Sequence, residues 1–345
     1  MDLLEIDIAL ARRSFDVRIA LNLGAETIAL VGPSGAGKTS LLRAVSGLER
    51  PHAGRIALGD ELWFDAKRKV HLSADQRRVG YLPQDYALFP HLTVAANVRF
   101  AGKRDRPDLL ERFGIGNLAT ARPAQLSGGE RQRAALARAV AREPRVLLLD
   151  EPFGALDAKT RGQVRDELAG ILPELRLPTL LVTHAFDDAT ALAERIGVID
   201  RGRLVQLGTA AELLRTPAEV MVAALTGANI LQGTAVPSGP GSTVRLSGGG
   251  ELASSAPAEG PVQIAIHPWE LKLADPATSP LTDTVLSVRH DRGALLIRLT
   301  RLTIQTPSNA NGHALLAEGS TVGLRVAPHA VHVFHAVASE TTGAW

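Results

Sequence analysis

The chain has 345 residues, of which 45% are hydrophobic, and a formal net charge of +2. This length allows more than one domain, and the nearly balanced charge, with only 4% aromatic residues, argues against a nucleic-acid-binding protein. The absence of cysteine excludes disulfides and thiolate metal sites and indicates a reducing compartment. We expect no membrane-spanning helix, because no apolar run approaches roughly 20 residues, and no signal peptide, because residues 1–5 do not have the pattern of one.

The first predicted elements are strands. Residues 3–8 and 15–23 alternate apolar and polar side chains, which predicts two strands that pair with each other. Residues 27–31 form an apolar run that is typical of a buried strand. Phe15 begins the second strand, where its ring either stacks on an adenine base or is an ordinary half-buried aromatic, and the sequence leaves both interpretations open.

The third strand leads directly into a glycine-rich loop. Residues 32–39 match the phosphate-loop pattern in the context it requires, between a predicted strand and a predicted helix. The glycines let backbone N–H groups close around phosphates, Lys38 supplies a charge to the β- and γ-phosphates, and the Thr39 hydroxyl suits Mg²⁺. The residues predicted to bind nucleotide here are Gly32, Pro33, Ser34, Gly35, Ala36, Gly37, Lys38, Thr39 and Ser40.

Further strands are predicted at residues 55–58 and 79–82, with a polar, charged segment between them. Gln84 follows the second of these strands, where its amide can reach both a metal ion and an attacking water molecule. The next loop, from Tyr86 to Val94, is apolar and interrupted by a proline. It is either buried locally or a docking surface for another protein.

A second candidate anion site lies in the middle of the chain. Ser127, Gly128 and Gly129 precede a predicted helix over residues 130–141, and such a helix start leaves N–H groups bare for a negative charge. Two anion-ready helix starts with one complete catalytic set favour a head-to-tail homodimer, in which each chain completes its partner's site. The arginines of this helix are spread around it and predict a solvated face, so we expect no nucleic-acid partner.

Two adjacent carboxylates follow the next predicted strand, at residues 146–149. Asp150 and Glu151 point to opposite sides of the chain, so one can take a metal ion while the other takes water. The predicted strand at 179–182 leads in a similar way to His184. A lone histidine is more often a structural residue, but its position directly after this strand favours a role in the site.

The last third of the chain changes in composition. Residues 196–199 and 204–207 flank a turn and predict a β-hairpin, and residues 212–225 predict a final helix. Residues 229–260 are rich in Gly, Ser, Pro and Ala, which predicts a linker. Short alternating strands without a competing helix then predict a small antiparallel β-barrel over residues 261–345.

The order of these motifs resembles that of the ABC (ATP-binding-cassette) ATPases, over roughly residues 3–225. The matching elements are the phosphate loop, Gln84, residues 126–130, residues 146–151, the Ala-Leu-Asp of residues 155–157, and His184. The resemblance implies an α/β P-loop NTPase domain at residues 1–228, with an antiparallel β edge and a helical subdomain at about residues 85–140. The tail would be a separate all-β domain of the oligonucleotide-fold-like (TOBE/MOP) type.

The resemblance also implies roles for individual residues. Glu151 would polarise the attacking water, His184 would contact the γ-phosphate as a switch, and Gln84 would couple that phosphate to the transmembrane partner. The implied Mg²⁺ ligands are Thr39, Gln84 and Asp150. Asp157 would join the nucleotide-binding residues, and two ATP molecules would lie at the interface of a homodimer.

The tail resembles the barrels that end importer ATPases for oxyanions and sugars, with residues 264–270 as its clearest motif. Together with the compact 60–80 region, it makes the chain most similar to molybdate-importer ATPases. Residues 278–283 lack the Arg and Asn of the Ser-x-Arg-Asn segment in those tails, so sulfate or thiosulfate is the alternative substrate, followed by a sugar, a polyamine or iron. A soluble ABC ATPase would usually show two cassettes or long heptad arms, and neither is present.

An importer of this kind implies particular partners. We expect a membrane permease docked near the loop from Tyr86 to Val94, and an extracytoplasmic solute-binding protein that acts through the permease. The chain would then work at the cytoplasmic face of the cell membrane, as a peripheral subunit.

Overall fold

A computed structural model describes residues 2–102, 104–154, 156–291, 293–307 and 316–335. The chain divides into two compact units, Met1–Glu212 and Leu213–Trp345, which are described separately. Within the described ranges, none of the helices is both long enough and apolar enough to cross a membrane.

The first unit is built on an eleven-stranded sheet with the order β6-β5-β4-β1-β2-β11-β10-β3-β9-β8-β7. Strands β7, β8, β9, β3 and β10 are parallel, and the β1, β2, β4, β5 and β6 side pairs antiparallel. The strands are β1 (Leu4–Ala11), β2 (Asp16–Leu23), β3 (Thr27–Val31), β4 (Ala53–Leu58), β5 (Glu61–Asp65), β6 (Val70–His71), β7 (Val79–Leu82), β8 (Val146–Asp150), β9 (Thr179–Val182), β10 (Arg195–Asp200) and β11 (Arg203–Gly208).

Burial explains why the two halves of the sheet differ. Every residue of β3, β8 and β9 is buried, as expected for parallel strands that are covered on both faces. Strands β1 and β2 instead alternate buried and more exposed residues, as expected for an antiparallel edge with one solvated face. Because β7, β8, β9 and β3 run in one direction, the loops after them meet at a single edge of the sheet.

Helices connect the parallel strands. They are α1 (Lys38–Ser46), α2 (Val94–Gly102), α3 (Pro107–Arg112), α4 (Gly128–Val140), α5 (Ala158–Leu175), α6 (Phe186–Leu192) and α7 (Ala210–Arg215). Helix α1 follows the phosphate loop and buries Leu41, Leu42 and Val45 in the core. Helices α2, α3 and α4 lie in the region predicted as the helical subdomain.

The second unit is almost entirely β. Its two five-stranded sheets have the orders β14-β13-β12-β15-β21 and β16-β20-β17-β18-β19, and their side chains share one hydrophobic cluster. The elements are α8 (Val220–Leu225), β12 (Asn229–Ser238), β13 (Gly241–Leu246), β14 (Glu251–Ser254), β15 (Gly260–Ile266), β16 (Lys272–Ala274), β17 (Leu281–Asp291), β18 (Ala294–Leu299), β19 (Thr303–Pro307), β20 (Thr321–Arg325) and β21 (His332–His335). The pairings are antiparallel, so the prediction of an all-β C-terminal region is confirmed.

Three sequence predictions about this region differ from the structure. Residues 229–260 are not a linker, because β12, β13 and β14 lie there and pair with one another and with β15. The division into compact units falls after Glu212, earlier than residue 228. The single helix predicted at 212–225 is interrupted, because Pro217 lies between α7 and α8 and lacks the N–H that would continue a helix. Residues 308–315 and 336–345 of the predicted barrel lie outside the described residues.

Candidate nucleotide site

The phosphate loop has a backbone that only glycine can follow at two positions. Gly32 has a φ of 152°, and a Cβ there would lie 2.0 Å from the carbonyl oxygen of Ile199. Gly37 has a φ of 102°, and a Cβ there would lie 2.5 Å from a methyl group of Val17. Because Gly37 has no side chain to cap helix α1, the first N–H groups of that helix face the loop without a side-chain acceptor.

The side chain of Lys38 is hydrogen-bonded to the backbone of the phosphate loop. Its Nζ donates hydrogen bonds to the carbonyl oxygens of Gly32, at 2.7 Å, and of Pro33, at 2.8 Å. Burial lowers the pKa of the Lys38 ammonium below its ordinary value, and the nearby Glu151 and Asp150 oppose that shift. The ammonium is therefore held in the loop, with its charge facing the place where phosphates bind in such loops.

Asp150 lies at the end of β8 and accepts two hydrogen bonds. The Thr39 hydroxyl donates to Oδ1 at 3.0 Å, and the Tyr81 hydroxyl donates to Oδ2 at 3.1 Å. Burial raises the pKa of Asp150, and these two hydrogen bonds counteract the rise because they favour the carboxylate. The hydroxyl and the carboxylate are oxygen donors of the kind that Mg²⁺ prefers, so the pair fits that ion.

Glu151 has an unusual backbone and two polar neighbours. Its φ of 44° lies in the left-handed region, and its N–H donates to the carbonyl oxygen of Val182 at 2.9 Å. Gln84 Nε2 donates to Glu151 Oε2 at 3.3 Å, and His184 Nδ1 lies 3.5 Å from the same oxygen. The predicted catalytic residues Gln84, Glu151 and His184 are thus brought together beside Asp150 and Lys38.

The second predicted anion site is flanked by a side-chain cap. Helix α4 begins at Gly128, and Ser127 and Glu130 form a capping box: Ser127 Oγ accepts from the N–H of Glu130 at 3.3 Å, and Glu130 Oε2 accepts from the N–H of Ser127 at 2.7 Å. The capping box pairs the N–H groups of Ser127 and Glu130 and leaves those of Gly128 and Gly129 outside it. Gly129 allows close packing, because a Cβ there would lie 3.0 Å from Val164 of α5.

Asp157 caps the next helix. Its Oδ1 accepts hydrogen bonds from the N–H groups of Lys159 and Thr160, both at 3.1 Å, and its Oδ2 accepts from the Thr160 hydroxyl at 2.7 Å. These bonds, chiefly that of the Thr160 hydroxyl, lower the pKa of the carboxyl. Within one chain Asp157 is thus a helix cap. Ala155, part of the same motif, lies outside the described residues.

The loop from Tyr86 to Val94 is neither wholly buried nor wholly exposed. Tyr86 is buried and donates to the carbonyl oxygen of Pro152 at 3.1 Å, whereas the ring of Phe89 is half-buried. Phe15 is also half-buried and packs against the core of the first unit, which leaves the question of adenine stacking open.

Sequence reasoning missed Tyr81 and Asp188 as site residues. Tyr81 pairs with Leu148 in the parallel β7–β8 register, so its side chain lies on the same face as that of Asp150, two residues further on. That register cannot be read from either strand alone. Asp188, in α6, is buried and paired with Arg161. In the sequence, its spacing of four residues after His184 is the feature that could have pointed to it.

Comparison with known proteins agrees with this geometry. The ABC transporter family model matches residues 16–154. The Fe(3+) ions import ATP-binding protein FbpC 1 of Rhodococcus jostii is 39% identical over 333 residues, covering 91% of this chain and 92% of that protein. The sulfate/thiosulfate import ATP-binding protein CysA of Mesorhizobium japonicum is 39% identical over 326 residues, covering 86% and 89%.

A solved structure is similar to the first part of the chain. The dimeric structure of MJ0796, a bacterial ABC transporter cassette, has a TM-score of 0.50 and 26% identity, and the match covers 60% of this chain and 98% of that one. The predicted ABC ATPase fold is therefore confirmed. With its phosphate loop, its carboxylates and its nearly full-length relatives, the chain belongs to the ATP-binding proteins of the ABC transporter family.

Proposed function

We propose that this chain is the ATPase subunit of an ABC importer that drives the uptake of an inorganic ion. The observation that carries the proposal is the cluster at one sheet edge, where Gln84 and His184 reach the carboxylate of Glu151 beside the pair of Thr39 and Asp150. Relatives named as import ATP-binding proteins match the chain over most of its length, the β tail included.

Most of these residues would bind ATP and its Mg²⁺ ion, and one residue, Glu151, would act on the attacking water molecule. Backbone N–H groups at the start of α1 and the Lys38 ammonium neutralise the phosphates of ATP, while Thr39, Asp150 and Gln84 would hold Mg²⁺, which supplies charge neutralisation when bound. Glu151 orients a water molecule toward the γ-phosphorus. The new P–O bond forms as the bond to the bridging oxygen breaks, giving ADP and phosphate, and His184 contacts the γ-phosphate.

The composite site requires a second copy of the chain. In a head-to-tail dimer, Ser127, Gly128 and Gly129 of one protomer would face the nucleotide held by the phosphate loop of its partner. The capping box leaves Ser127 exposed at the start of α4, so its side chain is accessible for such a contact. The similar MJ0796 cassette has a dimeric structure, which supports a dimer for this chain.

An aromatic patch, made of Phe89, His91 and Phe100, suits the docking of a permease. Phe100 is 65% exposed, and its ring packs edge-on against that of Phe89 with the centroids 4.7 Å apart. The loop that carries Phe89 is held in place by Asn97, a buried residue that bonds to its backbone N–H and carbonyl groups. The exposed ring of Phe100 in α2, packed on the half-buried Phe89 of a fixed loop, favours a protein contact over local burial. Docked there, the subunit would lie at the cytoplasmic face of the membrane.

The substrate is proposed from the relatives. They are named for the import of Fe(3+) ions and of sulfate or thiosulfate, which favours one of these ions and gives no support to molybdate. The absence of Arg and Asn from residues 278–283 agrees with this shift away from the molybdate-importer pattern. Ferric iron and sulfate or thiosulfate are therefore the two candidates, since relatives named for each are 39% identical to this chain.

A reconstituted importer tests the proposal. The full chain and its permease would be placed in proteoliposomes, and ATPase activity measured with binding proteins loaded with Fe(III), sulfate, thiosulfate or molybdate. We expect stimulation by the iron- or sulfur-loaded protein, and none in a matched preparation carrying Lys38→Ala. Stimulation by the molybdate-loaded protein alone would overturn the substrate assignment, and ATP hydrolysis unaffected by Lys38→Ala would overturn the assignment of the site.

A further inference from the structure

Asp188 is a buried carboxylate that has no place in the roles assigned so far. Its side chain is 2% exposed, and it lies in α6, four residues after His184. Arg161 Nε lies 3.3 Å from Oδ1 and 3.1 Å from Oδ2, and Arg161 Nη2 also donates to Oδ2. Arg165 Nη1 lies 3.9 Å from Oδ1. A buried charge needs partners of this quality, because an unpaired one is costly.

The same carboxylate reaches the loop that carries His184. The Thr183 hydroxyl donates to Asp188 Oδ2 at 3.5 Å and accepts a hydrogen bond from the N–H of Ala185 at 3.2 Å. The N–H of Thr183 donates to the carbonyl oxygen of Leu30 in β3, at 3.1 Å. Both chain neighbours of His184 are therefore held in place. The backbone of Thr183 is bonded to β3, the strand that leads into the phosphate loop, and the N–H of Ala185 is bonded to the Thr183 hydroxyl beside Asp188.

The other end of the network lies in the first turn of α5. The N–H of Arg161 donates to the carbonyl oxygen of Asp157, which caps that helix. The same turn lies against the start of α4, because a Cβ at Gly129 would be 3.2 Å from the Thr160 methyl group. Arg161 thus joins the helix start behind Asp157 to the loop of His184.

We propose that Arg161 and Asp188 are positioning residues that hold His184 against Glu151. The proposal rests on the proposed role of His184 at the γ-phosphate. Without the pair, the loop of residues 183–185 keeps its bond to β3 but loses the carboxylate beside its threonine. His184 then no longer holds its place 3.5 Å from Glu151 Oε2. Small displacements of this kind strongly lower the rate of a reaction that depends on the positioning of the reacting groups.

A double-mutant cycle in the full chain separates positioning from plain stability. We would measure kcat, KM for ATP and Tm for Asp188→Asn, His184→Ala and the double variant. Asp188→Asn should lower kcat by roughly 10- to 100-fold with little change in KM. In the His184→Ala background the same substitution should cause no further loss of kcat, because the residue it acts through is already gone.

Matched variants keep the test decisive. Glu26→Gln weakens a more exposed Arg–carboxylate pair, with Arg195, elsewhere in the first unit and should lower Tm without changing kcat. If Asp188→Asn does not fold, Arg161→Gln repeats the cycle from the more exposed partner. Equal losses of kcat in both backgrounds would overturn the positioning role alone. A fully active His184→Ala would instead overturn the role of His184 in the proposed function, and the positioning role with it.

Discussion

The hydroxyl of Tyr81 donates a hydrogen bond to Asp150 Oδ2 over 3.1 Å, while Thr39 occupies the other oxygen of the same carboxylate. Hydroxyl groups of the chain therefore orient both oxygens of the carboxylate that we propose to hold Mg²⁺. Burial and the neighbouring Asp150 raise the pKa of Tyr81, so its hydroxyl keeps the proton that it donates.

The first prediction concerns this hydrogen bond. Tyr81→Phe keeps the ring and removes the hydroxyl, so one oxygen of Asp150 loses its donor. We expect the Mg²⁺ concentration needed for half-maximal ATPase activity to rise by about 10-fold, in the range found for residues that orient metal ligands. Binding of a fluorescent ATP analogue, titrated with Mg²⁺, gives a readout that does not depend on turnover. An unchanged Mg²⁺ dependence in both measurements would contradict this role of Tyr81.

A second prediction concerns the aromatic patch. Phe100→Asp places a charge on a ring that is 65% exposed, so the isolated chain should keep its Tm and its ATPase activity. Docked against an apolar permease surface, the carboxylate would be buried without a partner, at a cost of several kcal/mol. We therefore expect co-purification with the permease to be lost. Leu3→Asp, another exposed apolar position in the first unit, is the matched control and should co-purify normally.

Phe89→Asp separates docking from local packing. Phe89 is half-buried, packs on Phe100, and lies under the Arg138 guanidinium, 5.5 Å from its ring centre. We expect this variant to lose the permease and also part of its thermal stability. If Phe100→Asp lost stability and activity to the same extent, the patch would be part of the fold and the docking interpretation would be wrong.

A third prediction concerns the composite site. In a Glu151→Gln background, which slows hydrolysis, ATP should produce dimers that light scattering detects, and Ser127→Arg should abolish them because the large cation fills the start of α4. Ser127→Ala loses the same helix cap, worth about 1 kcal/mol, without adding bulk. Equal Tm values for the arginine and alanine variants, with dimers absent only for arginine, would support the head-to-tail arrangement. ATP-dependent dimers of the arginine variant would refute it.

The capping box predicts a pH dependence. Hydrogen bonds from Ser127 hold the pKa of Glu130 below its ordinary value, so the charged cap stabilises the native state above the unfolded pKa. That contribution is lost as the pH falls through the lower folded pKa. Glu130→Gln, with a neutral acceptor, should therefore have a lower Tm than the parent chain at pH 7, and the difference in Tm should shrink as the pH falls below the ordinary pKa of a glutamate. A constant difference across this range would show that the charge does not matter.

Local patterns predicted the parallel core but not the connections around it. The strands at residues 27–31 and 179–182 end where the sequence places them, because buried apolar runs followed by glycine or polar residues leave little freedom. Strands β5 and β6 were missed because they lie in a charged segment, where β5 pairs with the neighbouring β4 and β6 and buries Trp63 and Phe64. Composition misled at residues 229–260, where Gly and Pro occur within paired strands and their turns.

In the candidate site, too, the residues set by local patterns were predictable and those set by long-range packing were not. Lys38, Asp150 and Glu151 were predictable because each stands at a fixed offset from a strand end. The capping of α4 by Ser127 and Glu130 was foreseeable from their three-residue spacing, but the sequence prediction considered only the glycines beside them. Tyr81 and Asp188 depend on strand register and helix packing, which a single sequence does not reveal.

The most direct test of the account is the Glu151→Gln variant of the full chain. It preserves the size of the side chain and removes the carboxylate that orients water, so ATP should bind with nearly unchanged affinity while single-turnover hydrolysis falls by at least about 100-fold. Lys38→Ala, measured in parallel, should weaken ATP binding itself. Hydrolysis by Glu151→Gln at the rate of the parent chain would contradict the assignment of the site.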